Sequence, residues 1–314
     1  MSLQDKIDAA LQRSAQAGSA WQKTHPEQRA AFLEAIAAAM EAAGKTLIET
    51  AMAETHLDEA RLVGERMRTT GQLRMYAVML REGSWVEAVI DTAQEGRPDL
   101  RKMLVPLGPV VVFGASNFPL AYSTAGGDTA SALAAGCTVI VKAHPAHPRT
   151  SLLVADAIKS AAAACGVPEH VFQHVEDEGF ETGKALVQHP LTRAVGFTGS
   201  FSGGMALQRY AQDRPDPIPV FAEMGSVNPV IILPEALSRR GESIAEACAA
   251  SVTLGVGQFC TNPGLMFGID CLGLRHFIEL MGQQVGRAAP APMLHEGIRA
   301  SYTDKLAQAL SSKG

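Results

Sequence analysis

The sequence predicts an α/β protein in which a doubly wound parallel sheet is followed by the first part of a second α/β domain. Three observations predict it. From Val110 onward, short Val/Ile-rich runs alternate with Ala-rich helical stretches. The runs lack polar alternation, as strands covered on both faces require. The first, second and fourth runs are also followed by Gly, Ser, Asn, Lys or His residues, at the carboxyl end of a strand where such a sheet receives ligands.

The elements follow in order. Thr24-His25-Pro26-Glu27 offers a capping box with proline in the first helical turn, and Phe32, Ile36 and Met40 follow at four-residue spacing, so the first third is a helical scaffold. Trp85 to Asp91 and Arg101 to Val105 read as two strands joined by a polar loop, a projecting hairpin (85–105) suited to an interface. The sheet strands are Val110 to Gly114, Cys137 to Lys142, Val171 to Val175 and Ala194 to Thr198. Pro215 to Pro219 breaks the rhythm, after which VFAEMG and NPVIIL read as further strands and Arg240 to Leu254 as a helix. His276 to Gly314 reads as two amphipathic helices separated by Pro290 and Pro292. The domain change falls near Met224, giving 1–224 as helices plus the doubly wound sheet and 225–314 as a second α/β unit.

Composition excludes several classes. A net charge of -5 without a dense Lys/Arg run lacks the electrostatic footprint of a nucleic-acid binder. The first residues carry no secretory signal pattern and no apolar run reaches membrane-spanning length, so a cytoplasmic protein acting on a small molecule, away from membranes, is expected. Five scattered cysteines argue against a disulfide framework or zinc knuckle. His144 and His147 stand three apart, but flanking prolines and the lack of a third ligand leave no metal site.

The chemistry concentrates in a few segments. Cys260 lies in Gly-Val-Gly-Gln-Phe-Cys-Thr-Asn-Pro-Gly, where glycines and amides surround a thiol as a nucleophile requires. Glu223 ends the strand VFAE, where partial burial would raise its pKa toward that of a useful base. Asn117, after the first strand, has an amide able to donate to an oxyanion. Each has a plainer reading: a packed corner cysteine, a solvated strand-end carboxylate, a turn-forming asparagine. The turn Gly199-Ser-Phe-Ser-Gly-Gly presents backbone N–H groups at a helix start, suited to a pyrophosphate, although its spacing is not GxGxxG.

Asn117-Phe-Pro, the strand-ending Lys142, Phe197-Thr-Gly-Ser with Gly204, Glu223-Met-Gly and Gly257-Gln-Phe-Cys260 succeed one another in an order that resembles the aldehyde dehydrogenase family. The resemblance implies that family's Rossmann-like fold, with 1–224 carrying the NAD(P)-binding domain and 225–314 an incomplete catalytic domain, and NAD(P)-dependent oxidation of an aldehyde to a carboxylic acid through a cysteine thiohemiacetal and thioester. It gives Cys260 the attack, Asn117 and the Cys260 backbone N–H the oxyanion, and Glu223 the activation of the hydrolytic water. It places Phe113, Ala115, Ser116, Lys142, His144, Pro145, Gly199, Ser200, Gly204 and Met224 along the cofactor, and it implies a homo-oligomer, a dimer or tetramer, associating through the hairpin.

Lys142-Ala-His-Pro-Ala-His-Pro and Glu-Met-Gly-Ser-Val-Asn-Pro look like the branch that oxidises 2,5-dioxopentanoate (α-ketoglutarate semialdehyde) to 2-oxoglutarate; fatty aldehyde dehydrogenases share similar motifs. Many NAD-using members carry a glutamate three residues after the strand-end lysine, and this sequence has Pro145 there. A 2′-phosphate would meet no carboxylate, with Lys142 and Arg149 as cations, so NADP is expected to serve at least as well as NAD. The family's Glu-x-Phe-Gly-Pro segment is absent, which predicts a C-terminally truncated enzyme and leaves a non-catalytic NADP-binding protein as the alternative. A cysteine hydrolase ranks last, because no histidine sits in a motif with Cys260.

Overall fold

The computed structural model describes residues 2–176 and 179–312. They divide into two compact units, Met1–Glu223 and Met224–Gly314.

The first unit begins with four helices, α1 (Leu3–Trp21), α2 (Pro26–Ala42), α3 (Gly44–Thr55) and α4 (Glu59–Glu82). The capping box expected from Thr24 does not form. The Thr24 hydroxyl donates to the Trp21 carbonyl at 2.7 Å, captured by the end of α1, and His25 caps α2 by accepting the Glu27 N–H on Nδ1 at 3.2 Å. Phe32, Ile36 and Met40 are fully buried, as their spacing predicts.

A short hairpin follows, with β1 (Val89–Asp91) antiparallel to β2 (Leu100–Lys102) and every residue of both strands exposed. Its strands are shorter than the sequence predicts. Residues Ser84–Val86 form a 3-10 turn and Glu87 takes a φ of 48°, a left-handed conformation that no strand continues through.

The sheet proper contains β3 (Val110–Phe113), β4 (Val139–Lys142), β5 (Phe172–Val175), β6 (Ala194–Gly199) and β7 (Val220–Met224), in the order β5-β4-β3-β6-β7. The pairs β3–β4, β3–β6 and β4–β5 are parallel. Helices α5 (Gly127–Ala134), α6 (Pro148–Ala164), α7 (Phe180–Gln188) and α8 (Phe201–Gln212) follow β3, β4, β5 and β6 in turn. Alternation along each strand sends side chains into two cores. Val110, Val112, Val139 and Val141 pack with α2 to α6, whereas Val111, Phe113, Ile140 and Val195 pack with α1, α7 and α8. The doubly wound parallel sheet predicted from the Val/Ile runs is thus the architecture found.

The second unit pairs β8 (Val230–Ile232) in parallel with β9 (Met266–Gly268) and adds α9 (Pro234–Thr253), α10 (Leu272–Gly286) and α11 (Glu296–Ser311). Helix α9 starts well before the expected Arg240 because Pro234 fits its first turn, and Arg240, with a φ of -151°, marks a kink within it. The NPVIIL strand shrinks to three residues between Asn228, at a φ of 41°, and Pro234. The core is small: Ile232, Leu237, Ala245 and Phe277. Helix α11 buries no residue, so the second expected amphipathic helix has no buried face; residues 313–314 lie outside the described ones. Among the described residues, no helix is long and apolar enough to cross a membrane.

Candidate active site

In the first unit the strand order reverses between β3 and β6, the point at which a doubly wound sheet opens a crevice beyond its carboxyl ends. The segment after β3 doubles back on itself. A Cβ on Gly114 would lie 2.6 Å from Ser123 Oγ, and the Ala115 N–H donates to the Tyr122 carbonyl at 2.8 Å. The buried His147 bonds the Ala115 carbonyl through Nε2 at 3.0 Å, fixing that loop to the segment after β4.

Asn117 sits within this loop, and α4 holds the loop in place. Arg61 donates from Nη2 to the Asn117 carbonyl at 3.3 Å, and its guanidinium lies 4.4 Å over the Phe118 ring. Glu65, almost wholly buried, accepts the N–H groups of Leu120 and Ala121 at 2.8 and 2.9 Å and pairs with Arg61 at 3.4 Å. Burial pushes the Glu65 carboxyl above its ordinary range, while the two N–H donors and Arg61 work against that rise. Sequence reasoning missed both residues. The available signal was a carboxylate sharing a helix face with Leu62, Thr69, Leu73, Ala77 and Leu80.

Lys142 ends β4 half-buried, and His144 and His147 stack 5.4 Å apart after it. Pro145 is exposed, and a carboxylate from another helix lies at the start of α6. Glu54, reaching over from α3, accepts the N–H groups of Arg149 and Thr150 at 2.9 and 2.8 Å and the Thr150 hydroxyl at 2.7 Å. It caps the first turn of α6, a position no local motif reveals because the partners are 95 and 96 residues apart.

After β6, Ser200 caps α8 by accepting the Gly203 N–H at 3.2 Å. Cβ atoms on Gly199 and Gly203 would come within 2.7 and 3.0 Å of the Phe197 ring, so it is this ring that their lack of side chains admits. The first-turn N–H groups of α8 still face the helix entrance, where an anion is favoured. Phe113 is buried, with Gly183 beside its ring; Ala115 is buried, Ser116 half-buried, and Gly204 buried in the first turns of α8.

Glu223 lies in β7 and is exposed, not partly buried as expected. The more buried carboxylate nearby is the half-buried Asp128 on α5, whose pKa is pushed up to about 6 by burial and, secondarily, by the charge of Glu223. A Cβ on Gly196 would lie 3.0 Å from Asp128 Cβ and Cγ, so this glycine makes room for the acid.

In the second unit Met224 is half-buried and Cys260 is exposed. The chain enters the cysteine loop through Gly255, Val256 and Gly257, all at positive φ (56°, 58° and 72°). Two of these are the glycines the sequence singled out; the β-branched Val256 is strained there. Side-chain amides then tie the loop down. Asn262 donates to the Val252 carbonyl at 2.8 Å, Gln258 to the Gly255 carbonyl at 3.0 Å, and the Leu294 N–H returns to Gln258 Oε1 at 3.0 Å. Asn228 donates to the carbonyls of Cys260 at 2.7 Å and Asn262 at 3.0 Å. An exposed thiol on a riveted turn is chemically suited to attack an electrophile. Among the described residues, no group of three His, Cys, Asp or Glu side chains is placed to hold a metal.

Comparison with known proteins identifies relatives of this chain. The alpha-ketoglutaric semialdehyde dehydrogenase 2 of Azospirillum brasilense is 53% identical over 95% of this chain, which covers 58% of that protein. An alpha-ketoglutaric semialdehyde dehydrogenase of Acinetobacter baylyi is 49% identical over 99% of this chain and 60% of its own length. The chain therefore spans roughly three-fifths of these relatives. A 3,6-anhydro-L-galactose dehydrogenase solved in complex with NAP shares the fold, with a TM-score of 0.84 at 24% identity over 98% of this chain and 63% of that one. Residues 2–269 match the aldehyde dehydrogenase family, and the chain belongs to it.

Proposed function

We propose that the chain carries the cofactor-binding and nucleophile-bearing parts of an NAD(P)-dependent aldehyde dehydrogenase acting on 2,5-dioxopentanoate. One observation carries the reading: the segments after β3, β4 and β6 gather Asn117, Lys142 and Ser200 at the carboxyl ends of a sheet whose order reverses there. The relatives named for α-ketoglutaric semialdehyde support the substrate.

The residues fit a dinucleotide. Gly199, Ser200 and Gly204 border a helix entrance suited to the pyrophosphate, and Lys142 and His144 flank the loop toward the adenosine. The same reading assigns Phe113, Ala115, Ser116, Pro145 and Met224 to the cofactor. When bound, the cofactor accepts a hydride. The chain's own residues do the rest. The Cys260 thiolate adds to the aldehyde carbon, giving a thiohemiacetal whose oxyanion Asn117 and the Cys260 N–H stabilise. Glu223 then takes a proton from the water that attacks the thioester, and the sulfur leaves as the acid is released. Glu54 at the start of α6 weighs against a strong preference for the 2′-phosphate, so both cofactors are expected to bind.

Absorbance of the reduced cofactor, with calorimetric titration of NADP and NAD, tests the reading. The chain is expected to bind both cofactors, and Cys260→Ala to abolish any turnover while leaving binding intact. Binding without turnover or any aldehyde adduct on Cys260 supports a cofactor-binding protein instead. Failure to bind either nucleotide sinks the proposal.

A further inference from the structure

The left-handed run at 255–257 leaves the Cys260 turn with little secondary structure of its own, and its direction is set from outside. Asn228 is where that is done. Its side-chain nitrogen donates to two carbonyls, of Cys260 at 2.7 Å and of Asn262 at 3.0 Å, spanning 32 and 34 residues of sequence. The backbone around it fits closely. The Gly264 N–H donates to the Val227 carbonyl at 2.7 Å, and a Cβ on Gly264 would lie 2.8 Å from that same oxygen. Residues 226–229 thus lie flush against the turn 260–264, and Asn228 itself takes a φ of 41° to present its amide, a conformation asparagine tolerates better than most.

We infer that Asn228 is a positioning residue for Cys260: by holding the Cys260 carbonyl it fixes the residue whose Cα bears the thiol and whose own N–H, on the preceding peptide, is aimed at the developing oxyanion. The inference rests on the reading of Cys260 as the nucleophile. The chemistry selects asparagine. One planar amide supplies two hydrogens to two acceptors, a serine hydroxyl supplies one, and an aspartate would set oxygen against oxygen. Loss of these bonds leaves the thiol exposed and able to react with any small electrophile, but frees the backbone that aligns sulfur and N–H around a carbonyl.

Two reagents separate these effects on the full chain without a cofactor. Nitrophenyl acetate reports acylation, in which sulfur adds to the ester carbonyl and nitrophenolate leaves with the bonding electron pair; iodoacetamide reports simple alkylation of Cys260, followed by mass spectrometry. Asn228→Ala is expected to slow the acylation burst by about tenfold to a hundredfold, while alkylation changes by less than about twofold. Asn228→Asp is expected to be worse than Asn228→Ala near pH 8 and partly rescued near pH 5, where the introduced carboxyl begins to be protonated and can donate one of the two bonds. Equal bursts across the variants, or bursts and alkylation falling by one common factor, would overturn the inference. A burst that survives Cys260→Ser, or no burst in the unaltered chain, overturns the nucleophile reading beneath it.

Discussion

Val111 and Phe267 each sit inside a short parallel strand, yet Val111 is 0% exposed and Phe267 is 53% exposed. The two units of the chain differ in the same way. In the first, β3, β4 and the start of β6 are covered by helices on both faces, as parallel strands require. In the second unit, β8 and β9 share a core of four buried residues, and Ile231, Phe267 and Ile269 remain exposed. The contrast teaches that the site residues rest on unequal foundations. Asn117, Lys142 and Ser200 are held by a rigid sheet, while Cys260 is held by side-chain amides reaching across a sparsely packed unit.

Cavity formation is the hardest test of that contrast. Phe32→Ala, in the first core, is expected to cost about 3–5 kcal/mol in denaturant unfolding. A loss below about 1 kcal/mol would mean that this core does not carry the unit.

Titration gives the next largest effect. The folded pKa of Asp128, about 6, lies above the ordinary aspartate value of 3.8, so the folded state binds the proton more tightly between those values. Stability from this group is therefore complete below 3.8 and lost as pH rises through about 6. Asp128→Asn is expected to remove that loss, stabilising the protein by on the order of 2–3 kcal/mol at pH 7 and little at pH 4. His174 and His189 act oppositely. Burial lowers both pKa values, so their contribution is present above 6.5 and lost as pH falls below it. Urea melts of the variant and the unaltered chain across this range isolate the Asp128 share. A difference independent of pH would refute the assignment.

The smallest effect belongs to the second unit. Phe267→Ala is expected to change stability by less than about 0.5 kcal/mol, because its ring is already half in water. A loss comparable to that of Phe32→Ala would erase the contrast between the units.

Much of the first unit was legible in the sequence because its signals are local. Val110, Val139, Phe172 and Ala194 begin strands within two residues of their expected starts, since continuous β-branched runs admit few alternatives. The motif residues Asn117, Lys142, Gly199, Glu223 and Cys260 were likewise visible as short segments in a fixed order. The hairpin strands were overextended because the left-handed turn at Glu87 has no glycine to announce it.

The sequence by itself determined the fold class, the order of the chemical motifs and the thiol at their end, because residue periodicity and turn chemistry act within a few positions. Only the tertiary structure decided how those residues are held. Glu65 grips the loop of Asn117 from 55 and 56 residues away, Glu54 closes α6 from 95 and 96, and Asn228 fixes Cys260 from 32. Asp128, half-buried, and not the exposed Glu223, proved to be an acid with a raised pKa. Each depends on a hydrogen bond or a burial that exists only once distant segments are packed together, and no local pattern of side chains encodes which polar group will find itself dry.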